Sequence, residues 1–284
     1  MLHHPVTIQV PATTANLGPG FDALGIALNL YNRVSLGNPT DDWEDPFFAE
    51  AAALFYRHTE TQPQAFEIEI TGDVPRSRGL GSSVTVRLGI IAGLNEKFEK
   101  PLNDETLFQL VTELEGHPDN AAPACFGGFV VGSPMHHHRF PVREELKFVT
   151  LIPDFVLQTA DARKVLPEQI PFKDCVTNIQ NTALITAAFA SEEYKTLNGS
   201  FADTLHQPYR LDMIPGAAEA LDAGVAAGAL GAFISGAGPA LMALTLEHWD
   251  EIAAAMSEAF IAAEQHPPQI RILEACNQGW KRTD

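Results

Sequence analysis

The 284-residue sequence predicts an α+β protein made of two halves. Segments that alternate as strands do are mixed with segments of helical spacing along the whole chain, without the regular β-α-β repeat of a doubly wound sheet. The pattern breaks between residues 133 and 146, where S-P-M-H-H-H-R-F-P-V-R-E-E-L has little apolar periodicity. This break predicts a boundary near residues 144–147, with one domain at 1–145 and another at 146–284.

The elements of each half follow from local patterns. In the first half, the segments predicted are a strand at 6–10, a turn-rich stretch at 11–22, an apolar run to Leu30, a loop at 37–46, a helix at 47–58, a strand at 66–70, a strand-loop-helix passage at 74–97 and a helix at 104–115. Asn103 or Asp104 is expected to cap the last helix. In the second half they are a strand at 148–152, helices at 177–198 and 216–227, paired strands at 231–245, a helix at 249–264 and a strand at 269–275.

Composition excludes several classes of protein. Apolar residues make up 45% of the chain and charged residues 19%, which is enough apolar material for a sizeable core. The 36 acidic residues outnumber the 18 basic ones, so the formal net charge is −18. A charge of that sign repels phosphate backbones and argues against a binder of nucleic acids or anionic membranes. A small anionic ligand can still bind where a few arginines and backbone amides converge.

Cysteine usage and the N-terminal residues bear on the compartment. The three cysteines, Cys125, Cys175 and Cys276, are far apart and form no C-x-x-C pair, which fits a reducing compartment. The opening M-L-H-H-P-V turns polar at once, unlike a secretory signal, and no run approaches the roughly 18 apolar residues of a membrane helix. We therefore expect a soluble, cytoplasmic protein.

The strongest local signal is V-P-R-S-R-G-L-G-S-S at residues 74–83. Gly79 and Gly81 allow a tight turn, and Ser82 and Ser83 are good N-cap residues for the apolar segment that follows. A loop of this kind at a helix N-terminus presents unpaired N–H groups and suits a phosphate. An ordinary strand-to-helix turn is the alternative. No Gly-Lys pair occurs, so the loop is not a Walker A loop.

Other glycine-polar clusters complete a recognisable set. They are P-A-T-T-A-N-L-G-P-G-F-D (11–22), E-G-H-P-D-N-A-A-P-A-C-F-G-G-F (115–129), A-R-K-V-L-P (162–167), H-Q-P-Y-R (206–210) and S-G-A-G-P (235–239). In this order, the set resembles the GHMP small-molecule kinases, and the homoserine kinases among them most closely. The resemblance implies a ribosomal protein S5 domain 2-like N-terminal domain and a ferredoxin-like C-terminal domain. It also implies transfer of phosphate from ATP, with Mg²⁺, to the side-chain hydroxyl of L-homoserine, a step of threonine biosynthesis, by a homodimer.

The resemblance also assigns residues to the nucleotide and the metal. The residues implied in ATP binding are Pro75, Arg76, Ser77, Arg78, Gly79, Leu80, Gly81, Ser82, Ser83, Gly236 and Gly238. Ser83 and Glu115 are the implied Mg²⁺ ligands, since this ion prefers oxygen donors. Glu115 as a routine exposed carboxylate is the alternative. The chain departs from the family where V-T-V-R follows Ser83 in place of alanines or glycines, so Arg87 is expected near the phosphates or on the outer face of the helix.

An amino-acid substrate needs separate partners for its carboxylate and its ammonium group. Arg163 and Arg210 resemble the family's carboxylate clamp, because guanidinium groups match a carboxylate in geometry; surface salt bridges are the alternative. The other residues implied in the substrate pocket are Thr159 beside the clamp, Asp22 as ammonium partner, and Asn16, His117, Asp119 and Asn120.

The position of the catalytic base is the last implied feature. Mevalonate and galactose kinases place an aspartate near the acceptor hydroxyl, whereas the matching residue here is Asn120, whose amide takes no proton at neutral pH. Asn120 is therefore expected to orient the hydroxyl, with the side chain of Asp119 pointing elsewhere. Two alternatives remain: a GHMP kinase for another small alcohol, which the motifs with Arg163 and Arg210 disfavour, and an inert ligand-binding relative, which intact Ser83 and Glu115 disfavour.

Overall fold

The computed structural model describes residues 4–264 and 266–284, which form two β-sheets with packed helices. The first sheet has the strand order β10-β1-β2-β4-β5, with β3 also paired to β2. Its strands are β1 (Val6–Ala15), β2 (Leu24–Thr40), β3 (Ala65–Gly72), β4 (Phe129–Gly132), β5 (His137–Phe140) and β10 (Lys281–Arg282). Every strand pair in this sheet is antiparallel.

Four helices belong to the first sheet. They are α1 (Pro46–Thr59), α2 (Ser82–Lys97), α3 (Asp104–Glu115) and α4 (Pro118–Phe126). α2 and α4 pack directly on β1 and β2, and α1 and α3 pack on α2. α2 is buried almost all round, with Leu88, Ile90, Ile91 and Leu94 at 0% exposure, because it lies between the sheet and the outer helices. This buried helix follows the glycine-serine loop of residues 74–81, called the phosphate loop below, so the core fixes the direction in which its N-terminus points.

The second sheet has the order β7-β8-β6-β9 and is antiparallel throughout. Its elements are β6 (Lys147–Ile152), α8 (Ala217–Ala226), β7 (Gly231–Ile234), β8 (Leu241–Thr245), α9 (Trp249–Glu264) and β9 (Gln269–Glu274). This β-α-β-β-α-β order is that of a ferredoxin-like domain. Three α-helices are inserted between β6 and α8: α5 (Thr159–Lys164), α6 (Phe172–Ser191) and α7 (Gln207–Arg210), together with two short 3₁₀ helices (Tyr194–Leu197 and Leu211–Met213). The predicted α+β fold class is confirmed.

The chain crosses between the two sheets twice. It leaves the first sheet after β5, and after β9 it returns, where Ala275 bridges Leu28 and β10 pairs with β1. Asn277 ties the two crossings together, because its Oδ1 accepts from the N–H of Val142 and its Nδ2 donates to the carbonyl of Val142, each at 2.8 Å. The domain division at 145/146 stays a prediction. The C-terminal segment does not follow it, because β10 joins the first sheet.

Several local predictions differ from the structure. Residues 11–15 continue β1 instead of turning, because they pair with β2 and are fully enclosed. No strand occurs at residue 74, which lies in the loop before α2. α4 was not predicted, and α6 covers Phe172–Ser191 where a helix at 177–198 was expected. The N-cap at Asn103 is confirmed, since its side chain accepts from the N–H of Thr106 at 2.9 Å.

None of the helices in the described part of the chain combines the length and the apolar character that crossing a membrane requires.

Candidate active site

A cavity of about 530 Å³ lies where loops of the two sheets meet. Among the predicted site residues, those that line it are Asn16, Asp22, Arg76, Ser77, Arg78, Gly79, Gly81, Ser82, Ser83, Glu115, His117, Asp119, Asn120, Thr159, Arg163, Arg210, Gly236 and Gly238. They come from both halves of the chain, so the fold brings the separate motifs together.

Pro75 and Leu80 are the predicted site residues that do not line the cavity. The Leu80 side chain is fully buried in the core, and its carbonyl accepts from the N–H of Thr13 at 3.2 Å. A motif assigned as a continuous run therefore includes residues, such as Leu80, that anchor the loop from behind.

The phosphate loop has the geometry that its glycines predict. Gly79 and Gly81 have φ of 78° and 68°, and a Cβ on Gly81 would lie 2.0 Å from Thr13 Oγ1. Gly81 is the N-cap of α2, so the expectation that Ser82 and Ser83 provide the cap is wrong; they form the first turn. Because no side chain caps this helix, its first N–H groups remain available to an anion in the cavity.

Ser83 and Glu115 lie together beside the phosphate loop. Ser83 Oγ donates to Glu115 Oε2 at 2.9 Å, and Arg87 Nη1 donates to Glu115 Oε1 at 3.0 Å. Arg87 also pairs with Glu50 at 2.7 Å and lines the cavity, while its expected place near the phosphates stays a prediction. Two adjacent oxygen donors, one of them anionic, form a set that suits Mg²⁺.

Asp22 and Arg163 form an ion pair across the cavity. Arg163 Nη2 and Nη1 donate to the two carboxylate oxygens of Asp22 at 2.6 and 3.1 Å. The predicted ammonium partner and one arm of the predicted carboxylate clamp are therefore bound to each other. The ring of Phe21 lies 5.2 Å from the guanidinium carbons of both Arg163 and Arg210, so both cations contact one aromatic ring.

Arg210 is held rigidly at the base of the cavity. Its side chain is 1% exposed; Nε donates to the carbonyl of Ala162, and Nη1 donates to the carbonyl of Gly236 and to His206 Nδ1, each at 3.1 Å. Burial and the neighbouring Arg163 lower the pKa of Arg210 to about 10, so it stays charged at neutral pH. Burial lowers the pKa of His206 by more than the negative charge of Asp203 raises it. His206 is therefore neutral and accepts from Arg210. A guanidinium held in this orientation can bind the carboxylate of a ligand.

His117, Asp119 and Asn120 form the opposite wall. His117 Nδ1 and Asp119 Oδ1 are 2.6 Å apart. Burial lowers the pKa of His117, but the hydrogen bond and charge of Asp119 outweigh burial and raise it above the ordinary value. The His117 and Asp119 ligand atoms lie within 4.8 Å of an Asp22 oxygen, and the expectation that Asp119 points away from the acceptor hydroxyl stays a prediction. The carboxylates of Asp22 and Asp119 give this corner of the cavity negative charge, which suits an ammonium group.

Sequence reasoning missed the apolar residues that line the cavity. The missed lining residues include the apolar set Phe47, Phe48, Ile70, Val86 and Leu157, together with Phe21. Phe21 lies within a motif that was already recognised, between a glycine and Asp22, and an aromatic residue at that position was the available signal. The other apolar residues come from separate elements and carry no common motif.

Family comparisons agree with this arrangement. Residues 47–128 match the GHMP kinases N terminal domain, and residues 187–262 match the GHMP kinases C terminal family, so the matches span more than half of the chain. The two-sheet fold and the glycine-bounded loop over a cavity define the class as a GHMP-type small-molecule kinase.

Individual relatives identify a family within this class of kinases. The chain is 42% identical over 255 residues to a homoserine kinase from Clostridium beijerinckii, which covers 84% of this chain and 86% of that protein. It is 38% identical over 276 residues to a homoserine kinase from Halothermothrix orenii, with 89% of each covered. The crystal structure of homoserine kinase from Cytophaga hutchinsonii superposes with a TM-score of 0.89 at 28% identity, covering 100% of this chain and 98% of that one. The chain belongs to the homoserine kinase family, and the resemblance found in the motifs is confirmed.

Proposed function

We propose that the protein transfers the γ-phosphoryl group of ATP to the side-chain hydroxyl of L-homoserine, giving O-phospho-L-homoserine and ADP for threonine biosynthesis. The observation that carries the proposal is one cavity that combines a phosphate loop with separate groups for a carboxylate and an ammonium ion. The relatives named homoserine kinase support it. An α-amino acid has both charges, whereas the alcohols of mevalonate-type kinases lack the amino group.

The nucleotide end of the cavity is formed by the phosphate loop and the apolar wall. Phe47, Phe48, Ile70 and Val86 line the cavity on the side of α1 and α2 and offer aromatic and aliphatic surface to the adenine ring. The N–H groups at the start of α2 then face the phosphates, where the positive end of the helix dipole favours them. Arg76 and Arg78 line the same cavity and add positive charge to it.

Ser83 and Glu115 would hold Mg²⁺, which when bound to ATP neutralises developing charge on the transferred group. Oε1 of Glu115 is occupied by Arg87, so Oε2 is the oxygen that Glu115 offers together with Ser83 Oγ. Arg87 therefore fixes the rotation of this carboxylate. The cation of Arg87 is itself balanced by Glu50, which leaves Glu115 with part of its negative charge for the metal.

Binding of the amino acid requires an exchange of partners. The substrate ammonium group would take Asp22 from Arg163, and the substrate carboxylate would take Arg163 and Arg210 in return. A zwitterion can replace both halves of the Asp22–Arg163 pair at once, so no charge is left unpaired in the cavity. A neutral or purely anionic alcohol cannot do this, and this requirement selects for α-amino acids. Thr159, at the start of α5, lines the same cavity.

The chemical step needs positioning more than a strong base. Phosphoryl transfer has a loose transition state, which makes little demand on early removal of the hydroxyl proton. Asn120 would hold the hydroxyl in line with the phosphorus, and the amides of the phosphate loop would stabilise charge on the phosphoryl oxygens.

ADP formation with a panel of L-homoserine, L-threonine, shikimate and mevalonate tests the proposed function. We expect kcat/KM for L-homoserine to exceed that for each of the other alcohols by at least about 100-fold, because only it combines a primary hydroxyl with both charges at the correct spacing. A better rate with shikimate or mevalonate would assign the protein to another alcohol. Binding of ATP without ADP release for any alcohol would identify an inert relative.

The proposed assembly is a homodimer in the cytoplasm. Phe172 and Ile179 lie seven residues apart on one face of α6 and are 85% and 68% exposed, which favours a second copy covering them. Light scattering coupled to gel filtration is expected to give twice the chain mass, and Ile179→Glu is expected to give the monomer. A native monomer at micromolar concentration would contradict this. The three free cysteines support a reducing compartment.

A further inference from the structure

Thr13 connects the phosphate loop to Asn120. It lies in β1 with no exposed surface, and its Oγ1 donates to Asn120 Oδ1 at 2.7 Å. Its N–H donates to the carbonyl of Leu80, and its hydroxyl occupies the space that a side chain on Gly81 would need. One threonine therefore touches both the loop proposed to hold the phosphates and the residue proposed to hold the acceptor.

The side-chain amide of Asn120 is fixed in one orientation by its two neighbours. Nδ2 donates to Asp119 Oδ1 at 3.2 Å, and a carboxylate only accepts hydrogen bonds. This contact is the longer of the two. The shorter one, from the Thr13 hydroxyl to Oδ1 at 2.7 Å, holds the amide oxygen towards Thr13 and so keeps the nitrogen towards Asp119. With Oδ1 held by Thr13, the second hydrogen on Nδ2 is the donor that Asn120 can offer to a ligand.

We propose that Thr13 is a positioning residue for phosphoryl transfer, which holds Asn120 so that its Nδ2 donates to the acceptor hydroxyl oxygen. One lone pair of that oxygen then accepts from Nδ2 while the other points towards phosphorus, and the hydroxyl proton stays free to leave late. Without Thr13, the amide can rotate and offer its oxygen, which would bind the hydroxyl proton and turn the oxygen lone pairs away. This inference rests on the proposed function, because it takes Asn120 to contact the acceptor.

Thr13→Val tests the role because valine keeps the shape and removes the donor. We expect kcat to fall at least about tenfold, the effect of one lost hydrogen bond with an unpaired acceptor, while KM for both substrates changes less than about twofold. Thr13→Ser keeps the hydroxyl and is expected to retain kcat within about threefold. If Thr13→Val does not fold, Thr13→Ala replaces it, since alanine fits the same space.

A double-mutant cycle separates positioning from general damage. In the Asn120→Ala background, Thr13→Val is expected to cause no further loss of kcat, because the group through which Thr13 acts is absent. Thr14→Val is the matched control: Thr14 is the next residue of β1, is equally buried, and bonds Ser235 Oγ at 2.9 Å. Its effect on kcat is expected to be the same with and without Asn120.

Two results would overturn the inference: an equal loss from Thr13→Val in both backgrounds, or a Thr13→Ser variant as slow as Thr13→Val. A crystal structure of Thr13→Val gives a readout independent of turnover, with the Asn120 amide expected to leave its native rotamer. The cycle is run with the alcohol that the substrate panel identifies as best. A failure of homoserine as substrate is therefore seen in the native enzyme, before any Thr13 variant is measured.

Discussion

Glu115→Gln is expected to lower kcat at least about 100-fold and to raise the Mg²⁺ concentration needed for half-maximal rate, because an anionic ligand becomes a neutral one. The fold should survive, since glutamine has the same shape, its amide oxygen can accept from Arg87, and its amide nitrogen can donate to Ser83 Oγ. Thermal unfolding within a few degrees of the native protein checks this.

Glu50→Gln is the matched control for that substitution. Glu50 pairs with the same Arg87 at 2.7 Å, but its side chain is 56% exposed and no hydrogen bond links it to Ser83. We expect its kcat and Mg²⁺ dependence to stay near native. Direct binding of Mn²⁺ in the presence of a non-hydrolysable ATP analogue, followed by electron paramagnetic resonance, should weaken in Glu115→Gln alone. Native activity and native Mn²⁺ binding in Glu115→Gln would remove Glu115 from the metal site.

Arg210→Lys is expected to raise KM for L-homoserine more than about tenfold, equal to about 1.4 kcal/mol, with little change in KM for ATP. Lysine keeps the charge but has a single side-chain nitrogen. It cannot replace the hydrogen bonds of Arg210 to Ala162, Gly236 and His206 and also donate two hydrogen bonds to a carboxylate. The separation of the two KM values is the informative measurement.

Arg139→Lys controls for the loss of hydrogen bonds to backbone carbonyls. Arg139 donates to the carbonyls of Gly127 and Asn277, away from the cavity, so its replacement should lower the melting temperature without changing either KM. If Arg210→Lys raised both KM values by the same factor, Arg210 would support the fold and not the substrate carboxylate.

The parts of the site that were predictable are those set by local backbone chemistry. Gly79 and Gly81 predict a loop with positive φ whatever the rest of the chain does, and the apolar segment after Ser83 predicts a buried helix. α4 was missed because it is short, starts with Pro118 and contains Pro123, so its pattern favours a turn.

The parts that were not predictable depend on contacts between distant segments. Thr13 and Asn120 are 107 residues apart in sequence, and Asp22 and Arg163 are 141 apart. Local propensity contains no information on such pairs. Asp22 and Arg163 were each assigned from a motif, yet their mutual ion pair follows from how the two sheets are joined. Arg87 was recognised as a departure from the family, whereas its position between two carboxylates required the helix packing.

The double crossing tied by Asn277 has a mechanical consequence for the cleft. Two connections lying side by side and bonded to each other at Val142 resist torsion, because twisting would shear the paired bonds of Asn277. One apolar core also runs through both sheets, with Leu28 and Phe129 of the first sheet and Phe148 and Leu273 of the second in the same buried cluster. The two sheets are therefore held together as one unit, which keeps the phosphate loop and Arg210 aligned across the cavity.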